Sequence, residues 1–164
     1  MSNATAEETM QAFLTLSSEL CGFSEFTLLG TGYADGYFTT VMEMAGAELI
    51  DDLLAAYHEL PAGDPATRDR RLRADILSDD RIGPVARNII KLWYTSIWFE
   101  LPTDWHAKYQ TLHEDRSFIP FTYAYPEGLL GPAVGAHVQG AKPTGYGSWK
   151  SPPEPLEFEG DLLL

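Results

Sequence analysis

The sequence has few of the residues on which several classes of protein depend. Its single cysteine, Cys21, cannot form an internal disulfide, and its four histidines are too far apart for a two-histidine metal motif. No apolar run approaches the roughly 20 residues of a membrane-spanning helix. Only 11 Lys and Arg oppose 24 Asp and Glu, and the net charge of -13 repels nucleic acid. We therefore expect no metal, no membrane span and no nucleic-acid partner.

An export signal is also missing from the chain as written. Residues 1–10 have no basic residue and no apolar stretch. Arg70 and Arg71 form a pair, but no apolar segment follows it, so it does not qualify as a twin-arginine signal. We expect a cytoplasmic protein, or a periplasmic one if a signal was trimmed or a partner supplies it.

The negative charge is distributed unevenly. Residues 1–67 contain eleven acids and no base, whereas residues 68–91 contain seven bases and four acids. Such a split suits steered docking on a partner, and it equally suits an ordinary solvated surface.

The apolar spacing predicts an all-α fold, a small domain of about four to five helices. A chain of 164 residues with 45% hydrophobic content can form one such core. Periodicity and capping residues place the helices at 5–21, at 34–59 with a break offered by Gly46, at 67–77, and from Pro84 to near Pro102. The apolar stretch 23–29 is interpreted as a loop because two glycines follow it.

The last third of the chain has a different composition. Residues 101–164 hold eight of the eleven prolines and seven of the fourteen glycines, together with many aromatic residues. This combination predicts a long irregular arm that orders against a partner subunit. We divide the chain into a helical core, residues 1–100, and an extended C-terminal arm, residues 101–164, within one structural domain overall.

Catalytic motifs are absent, and the remaining candidates have ordinary explanations. The sequence contains no nucleophile elbow, phosphate-binding loop or redox CxxC. Isolated histidines and adjacent acid pairs suit general acid and base work, and they equally suit solvated or capping positions. These residues are His58, His106, His113, His137, Glu7-Glu8, Asp51-Asp52 and Asp79-Asp80. Cys21 suits a buried apolar position, a reactive thiol or a bond to another chain.

The central helix carries more aromatic rings than one face can bury. On a continuous helix, Trp93 and Ile97 share one face, while Tyr94 and Trp98 share the next. An ordinary core explains most of this pattern, but two aromatic faces also suit a helix placed between its own core and another protein.

Three segments together resemble a known family, the small or gamma subunits of bacterial FAD-dependent sugar and polyol dehydrogenase complexes. The family includes those acting on sorbitol, fructose, glucose or glucosides (glucoside 3-dehydrogenase type). The segments are Phe13-Leu-Thr-Leu-Ser-Ser-Glu-Leu-Cys-Gly22, Val85-Ala-Arg-Asn-Ile-Ile-Lys-Leu-Trp-Tyr-Thr95 and Pro143-Thr-Gly-Tyr-Gly-Ser-Trp-Lys-Ser-Pro-Pro153.

The resemblance implies a helical, non-catalytic subunit that binds no cofactor itself. Its partner would be a large FAD-containing subunit of the glucose-methanol-choline type, which it stabilises and helps to mature. A cytochrome c subunit is a further candidate partner. The partner-interface residues predicted on this basis are Trp93, Tyr94, Trp98, Tyr146, Trp149 and Lys150.

Two other functions are consistent with the residues. A stand-alone enzyme would use the scattered histidines and acids and would turn over substrate without a second protein. A free-standing helical protein-binding module would bind a charged peptide without any redox partner.

Overall fold

The predicted all-α class is confirmed by the computed structural model, which describes residues 3–109 and 115–136. These residues form eight α-helices and no strand; one isolated antiparallel bridge joins Trp98 to Phe118. The helices are α1 (Asn3–Cys21), α2 (Glu25–Gly30), α3 (Ala34–Ala45), α4 (Ala47–His58), α5 (Pro65–Arg71), α6 (Gly83–Thr95), α7 (Thr103–Tyr109) and α8 (Leu130–Ala133).

The ends of the first helix follow local chemistry. α1 begins at Asn3, two residues before Thr5, where the capping pattern predicted the start; deviations of this size are ordinary at helix ends. It ends at Cys21, as predicted. Gly22 adopts the left-handed conformation, with φ of 72°, and donates its N–H to the Ser18 carbonyl over 2.9 Å.

The loop prediction for residues 23–29 is wrong, because Glu25–Gly30 form the short helix α2. Ser24 provides the N-cap, since its hydroxyl accepts the N–H of Thr27 at 3.2 Å. Leu28 is fully buried and fixes the helix to the core. Of the two glycines that indicated a loop, Gly30 is the last residue of this helix and Gly32 follows it.

Gly46 separates α3 from α4, as predicted. Its φ of 84° lies in the region that favours glycine, and its N–H donates to the Met42 carbonyl at 3.0 Å. The next helix is capped by Asp64 and not by Thr67, because an Asp64 carboxylate oxygen accepts the Thr67 N–H at 2.9 Å. A π-helical turn over Leu72–Leu77 continues α5.

The central helix α6 is shorter than predicted. Pro84 lies in its first turn, as expected, but the helix ends at Thr95 and does not continue toward Pro102. Ser96 has a φ of 59°, the left-handed conformation. Its buried hydroxyl accepts the phenol hydrogen of Tyr37 and donates to a backbone carbonyl, each over 2.9 Å. These two bonds stabilise the turn that stops the helix.

After this turn the chain is extended, so the predicted second aromatic face does not form. Asn88 accepts the N–H of Phe99 at 3.1 Å and donates to its carbonyl at 2.6 Å. Trp98 exchanges two backbone hydrogen bonds of 2.9 Å with Phe118. Trp98 therefore shares no helical face with Tyr94.

The core is made of the apolar faces of the longer helices. Side chains with almost no exposed surface come from each of them: Phe13, Leu16, Tyr37, Val41, Ile50, Leu53, Ile76, Ile89, Leu92 and Trp93. Leu101, Trp105, Ala124 and Leu129, from the part predicted as an arm, are buried with them. The assignment of residues 101–164 to a partner surface stays a prediction.

Residues 115–136, here called the 115–136 segment, attach to the helices at a few points. Asp115 has a side chain only 2% exposed. Its carboxylate accepts the indole N–H of Trp98 at 2.8 Å and the backbone N–H of Leu101 at 2.6 Å. The Nε2 of His106 lies 2.9 Å from the same carboxylate. A single buried acid thus joins three parts of the chain.

A close approach to α3 provides a second attachment. The Phe121 ring lies over Gly36, where a Cβ would come within 2.5 Å of the ring. The ring centroids of Tyr33 and Tyr37 lie 5.6 and 6.1 Å from the Phe121 ring centroid. A Cβ at position 36 would therefore force the Phe121 ring to shift from its contact with the helix.

Candidate partner interface

A groove with apolar walls runs between α2 and the residues that lead into α8. Its volume is about 310 Å³. The lining residues are Phe26, Thr27, Gly30, Thr31, Pro126, Glu127, Gly128, Leu129 and Pro132. Phe26, a lining residue, is 85% exposed, and exposed apolar side chains also follow or precede lining residues in the sequence: Leu29, Tyr125, Leu130 and Val134. Exposed apolar surface concentrated in one place is typical of protein-binding sites.

The first wall is created by the orientation of α2. Leu28 points into the core, and residues two apart in a helix lie on opposite sides. Phe26 is consequently directed outward and is 85% exposed. Thr31 ends the helix by donating its hydroxyl to the Leu28 carbonyl at 2.7 Å. A six-residue helix therefore presents one large ring to the outside.

The second wall is attached to the end of α6. The Leu129 N–H donates to the Trp93 carbonyl at 3.1 Å, and the Leu129 side chain is buried. Gly128 lies so close to α6 that a Cβ there would be 2.8 Å from the Tyr94 carbonyl oxygen. Only glycine allows this approach, which fixes the chain beside α6.

The ends of α1 and α6 meet next to this wall. The Tyr94 hydroxyl donates to the Cys21 carbonyl at 2.9 Å. The Phe23 ring packs edge-on against Tyr94 with centroids 6.1 Å apart. Two of the three segments that carry the family resemblance therefore converge beside the groove.

The six predicted interface residues have different positions. Trp93 is 1% exposed and packs edge-on against Tyr37, with ring centroids 4.9 Å apart; Trp98 is 0% exposed. Both rings are enclosed by this chain's own residues. Tyr94 is half-buried and adjoins the second wall of the groove.

Tyr146, Trp149 and Lys150 lie outside the described residues. The interface role of all six residues stays a prediction.

The residues that form the groove walls were not among the predicted interface residues. The sequence shows that residues 23–29 are apolar, but the loop interpretation gave no reason to expect Phe26 on the surface. The second wall depends on contacts between residues more than 30 positions apart, such as Gly128 with Tyr94. One sequence signal for the first wall was overlooked: Ser24 is a favourable N-cap residue and indicates that a helix begins after it.

The predicted catalytic candidates are in ordinary environments. His58 is exposed, and His106 contacts the buried Asp115. One carboxylate oxygen of Asp79 accepts the N–H groups of Arg81 and Ile82 at 2.7 and 2.8 Å, a turn-capping role. Within residues 3–109 and 115–136, no cluster of three His, Cys, Asp or Glu side chains is arranged to hold a metal ion. His113 and His137 lie outside the described residues.

Cys21 is a buried residue near the end of α1. Its side chain is 4% exposed, and burial raises the pKa of the thiol to about 12. Because the thiolate is the reactive form, this thiol is expected to be inert while the fold is intact.

A polar network joins α1, α4 and α5. Glu19 accepts two hydrogen bonds from the Arg68 guanidinium, at 2.7 and 2.9 Å, and one from the Tyr57 hydroxyl at 2.7 Å. Arg68 also lies over the Tyr57 ring, 5.1 Å from its centroid. An open pocket of about 650 Å³ lies beside this network, and its lining includes Tyr57, Arg68 and apolar residues such as Leu60.

The positive stretch 68–91 is largely neutralised by acids of the same chain. Ion pairs join Arg68 to Glu19, Arg71 to Asp75, Arg73 to Asp69, and Arg81 to Asp52 and Glu48. Three of these pairs join the positive stretch to acids of residues 1–67, which reduces the charge separation between the two stretches.

No protein-family model, curated protein or solved structure matches the chain. The helices in the described part are all too short or too polar to cross a lipid bilayer.

Proposed function

We propose that this chain is a non-catalytic small subunit of an FAD-dependent sugar or polyol dehydrogenase complex. In this role it binds a large flavoprotein subunit, stabilises it and assists its maturation. The flavin and the substrate pocket belong to the large subunit, and this chain contributes no cofactor ligand. A free-standing helical protein-binding module is the alternative.

The observation that carries the proposal is the exposed apolar groove. Phe26 is 85% exposed on a short, well-anchored helix, and Tyr125, Leu130 and Val134 are exposed near the lining residues 126–132 in the sequence. Isolated apolar residues are common on protein surfaces, but a grouped set beside a groove favours burial by another protein. The groove suits a binding subunit better than a solitary enzyme.

The location of the resembling segments adds support. The first ends at Gly22 and the second at Thr95, and the Tyr94 hydrogen bond to Cys21 brings these ends together beside the groove. Neither segment lines the groove, but Tyr94 of the second segment adjoins its wall at Gly128.

The mechanism of stabilisation is thermodynamic linkage. A subunit that binds only the folded flavoprotein lowers the free energy of the folded state by mass action. At a free subunit concentration 100 times the Kd, the stabilisation is about 2.7 kcal/mol. No catalytic group in this chain is needed for that effect.

The test is co-purification of the tagged full chain from its native host, followed by an absorption spectrum and a dye-linked sugar dehydrogenase assay. The proposal predicts a large protein with flavin absorption, and activity in the complex but not in the isolated chain. The control is the same purification from cells with the untagged chain.

Three outcomes separate the candidate functions. A large flavoprotein that co-elutes in constant proportion supports the subunit role. A colourless partner supports the binding module instead. Turnover by the isolated chain, with no second protein present, contradicts both and favours a stand-alone enzyme.

A further inference from the structure

We infer that residues 115–119 present an open strand edge, and that residues 155–160 of the same chain add to it as a neighbouring strand. The inference does not depend on the proposed function, because both parts belong to this chain. It assigns a binding site to the extended backbone beside Trp98 and names the segment that occupies it.

The backbone of residues 115–119 is hydrogen-bonded on one side only. Phe118 donates its N–H to the Trp98 carbonyl and accepts the Trp98 N–H, each over 2.9 Å. In an antiparallel pair, the residues on either side of such a pair direct their N–H and C=O groups the other way. These residues are Ser117 and Ile119; both are exposed, and their backbone groups form no hydrogen bond within the described part of the chain.

The complement of an open edge is another extended backbone. Main-chain hydrogen bonds supply the affinity when a strand adds to an edge, and side chains determine which strand binds. The opposite side of the neighbouring extended stretch is already satisfied, since Asn88 accepts the Phe99 N–H at 3.1 Å and donates to its carbonyl at 2.6 Å. The open edge therefore lies at Ser117 and Ile119.

The side chains at this edge favour a strand with one apolar and one acidic face. Arg116 and Ile119 are three residues apart, so an extended backbone directs them to opposite faces. Ile119 is 56% exposed. Arg116 is exposed, and its guanidinium forms no ion pair within the described residues.

Residues 155–160, Pro-Leu-Glu-Phe-Glu-Gly, have the matching pattern. Two apolar residues alternate with two acids, which indicates a strand with one apolar and one polar face, and proline and glycine are usual at strand ends. The acids complement Arg116, and the apolar pair complements Ile119.

The connection is long enough to bring this segment to the edge. Residues 137–154, eighteen in number, separate it from Ala136, the last described residue. At about 3.3 Å per residue they span up to about 60 Å, roughly twice the diameter of a small domain. The predicted interface residues Tyr146, Trp149 and Lys150 lie in this connection, so docking of the strand fixes both ends of the stretch that carries them.

The test is amide hydrogen exchange of the purified full chain, measured for single residues by NMR. Phe158→Pro removes a ring and a backbone N–H from the segment, and Leu163→Pro is the matched change outside it. The Ser117 and Ile119 amides should exchange at least about tenfold faster in Phe158→Pro than in the wild type. Leu163→Pro should leave their exchange within about twofold.

Charge reversal tests the acidic face. Arg116→Glu, or Glu157→Lys combined with Glu159→Lys, should speed exchange of the two edge amides about threefold, and more at low salt. The triple variant should return exchange to within about twofold of the wild type. Arg70→Glu is the control, since Arg70 is exposed and its described hydrogen bond is to Thr67. Circular dichroism checks that every variant keeps its helices.

The other outcomes overturn the inference or one part of it. Unprotected Ser117 and Ile119 amides in the wild type overturn the added strand. Protection that persists in Phe158→Pro shows that residues 155–160 are not the occupant, and protection that rises with protein concentration assigns the edge to a second copy. Failure of the triple variant to restore protection overturns the pairing of Arg116 with the acids. The proposed function is tested separately, by co-purification.

Discussion

The helical body, residues 3–95, and the 115–136 segment are stabilised in different ways. The body buries large side chains from every long helix, so its stability is spread over many contacts. The segment depends on a few anchors: Asp115, Phe121, Ala124 and Leu129. A single substitution is therefore expected to matter more in the segment than on the body's surface.

This difference bears on function because the groove has one wall in each region. α2 belongs to the body, while Gly128 and Leu129 belong to the segment. The groove exists only while the segment stays attached to α6. Changes that release the segment should abolish partner binding even when the helices remain folded.

The largest effect is expected from removing the buried acid. Asp115→Ala leaves the Trp98 indole N–H and the Leu101 N–H without their acceptor in a buried site. The predicted loss in the free energy of unfolding is about 3 kcal/mol, measured by urea denaturation. Asp69→Ala, which removes an exposed partner of Arg73, should change it by less than about 0.5 kcal/mol. If the two substitutions lowered the free energy of unfolding equally, Asp115 would not be a main attachment point of the 115–136 segment.

A smaller effect is expected from crowding the contact between the segment and α3. The methyl group of Gly36→Ala would come within 2.5 Å of the Phe121 ring. Overpacking destabilises a protein by about 1–3 kcal/mol, and the higher helix propensity of Ala relative to Gly offsets about 1 kcal/mol of this loss. We predict a net loss of about 1 kcal/mol in urea denaturation.

The control is Gly30→Ala, because a Cβ at Gly30 meets no atom within 4 Å. This variant should be as stable as the wild type or slightly more so. A Gly36→Ala protein with wild-type stability would show that Phe121 does not anchor the segment.

The network of Glu19, Tyr57 and Arg68 gives a third, pH-dependent prediction. Burial alone would raise the pKa of Glu19, but the hydrogen bonds from Arg68 and Tyr57 and the Arg68 charge outweigh it and hold the pKa below its ordinary value of 4.5. A lowered pKa contributes stability above 4.5 that is lost as the pH falls through the lowered pKa. Glu19→Gln should therefore be less stable by about 1 kcal/mol at neutral pH.

The difference between Glu19→Gln and the wild type should shrink as the pH falls below 4.5. Urea denaturation across this range measures it. A difference that stays constant down to acid pH would mean that the Glu19 charge does not contribute.

The smallest expected effect concerns the reactivity of the Cys21 thiol, which shows whether the helical body remains folded. Its thiol is buried, with its pKa raised to about 12, so Ellman's reagent should react only after unfolding. We expect this protection to persist in Asp115→Ala under native conditions, because a loss of about 3 kcal/mol is smaller than the usual stability of a folded domain. Rapid reaction in Asp115→Ala alone would show that the two regions unfold together.

The sequence was sufficient to predict the five principal helices and the all-α class, because their apolar periodicity and caps are local. The end of the first helix at residue 21 and the break at Gly46 were correctly predicted for the same reason. α2 was missed because its six residues are too few to show a period, and its helix is fixed by Ser24 and the buried Leu28.

The end of α6 was not predicted because the residues that stop the helix are far from it in the sequence. Ser96 turns the chain through bonds to Tyr37 and Ala124, and Asn88 holds the extended residues that follow. The groove could not be predicted for the same reason, since Gly128 reaches Tyr94 only in the folded chain. The resemblance indicated a partner, but it did not indicate the surface.

The most direct measurement of the central claim is hydrogen exchange of this chain, alone and in complex with the co-purified flavoprotein. The account predicts slower exchange on binding in residues 25–31 and 126–132, with little change in the Glu19 and Arg68 region. Protection concentrated around Glu19 and Arg68, with α2 unchanged, would contradict it.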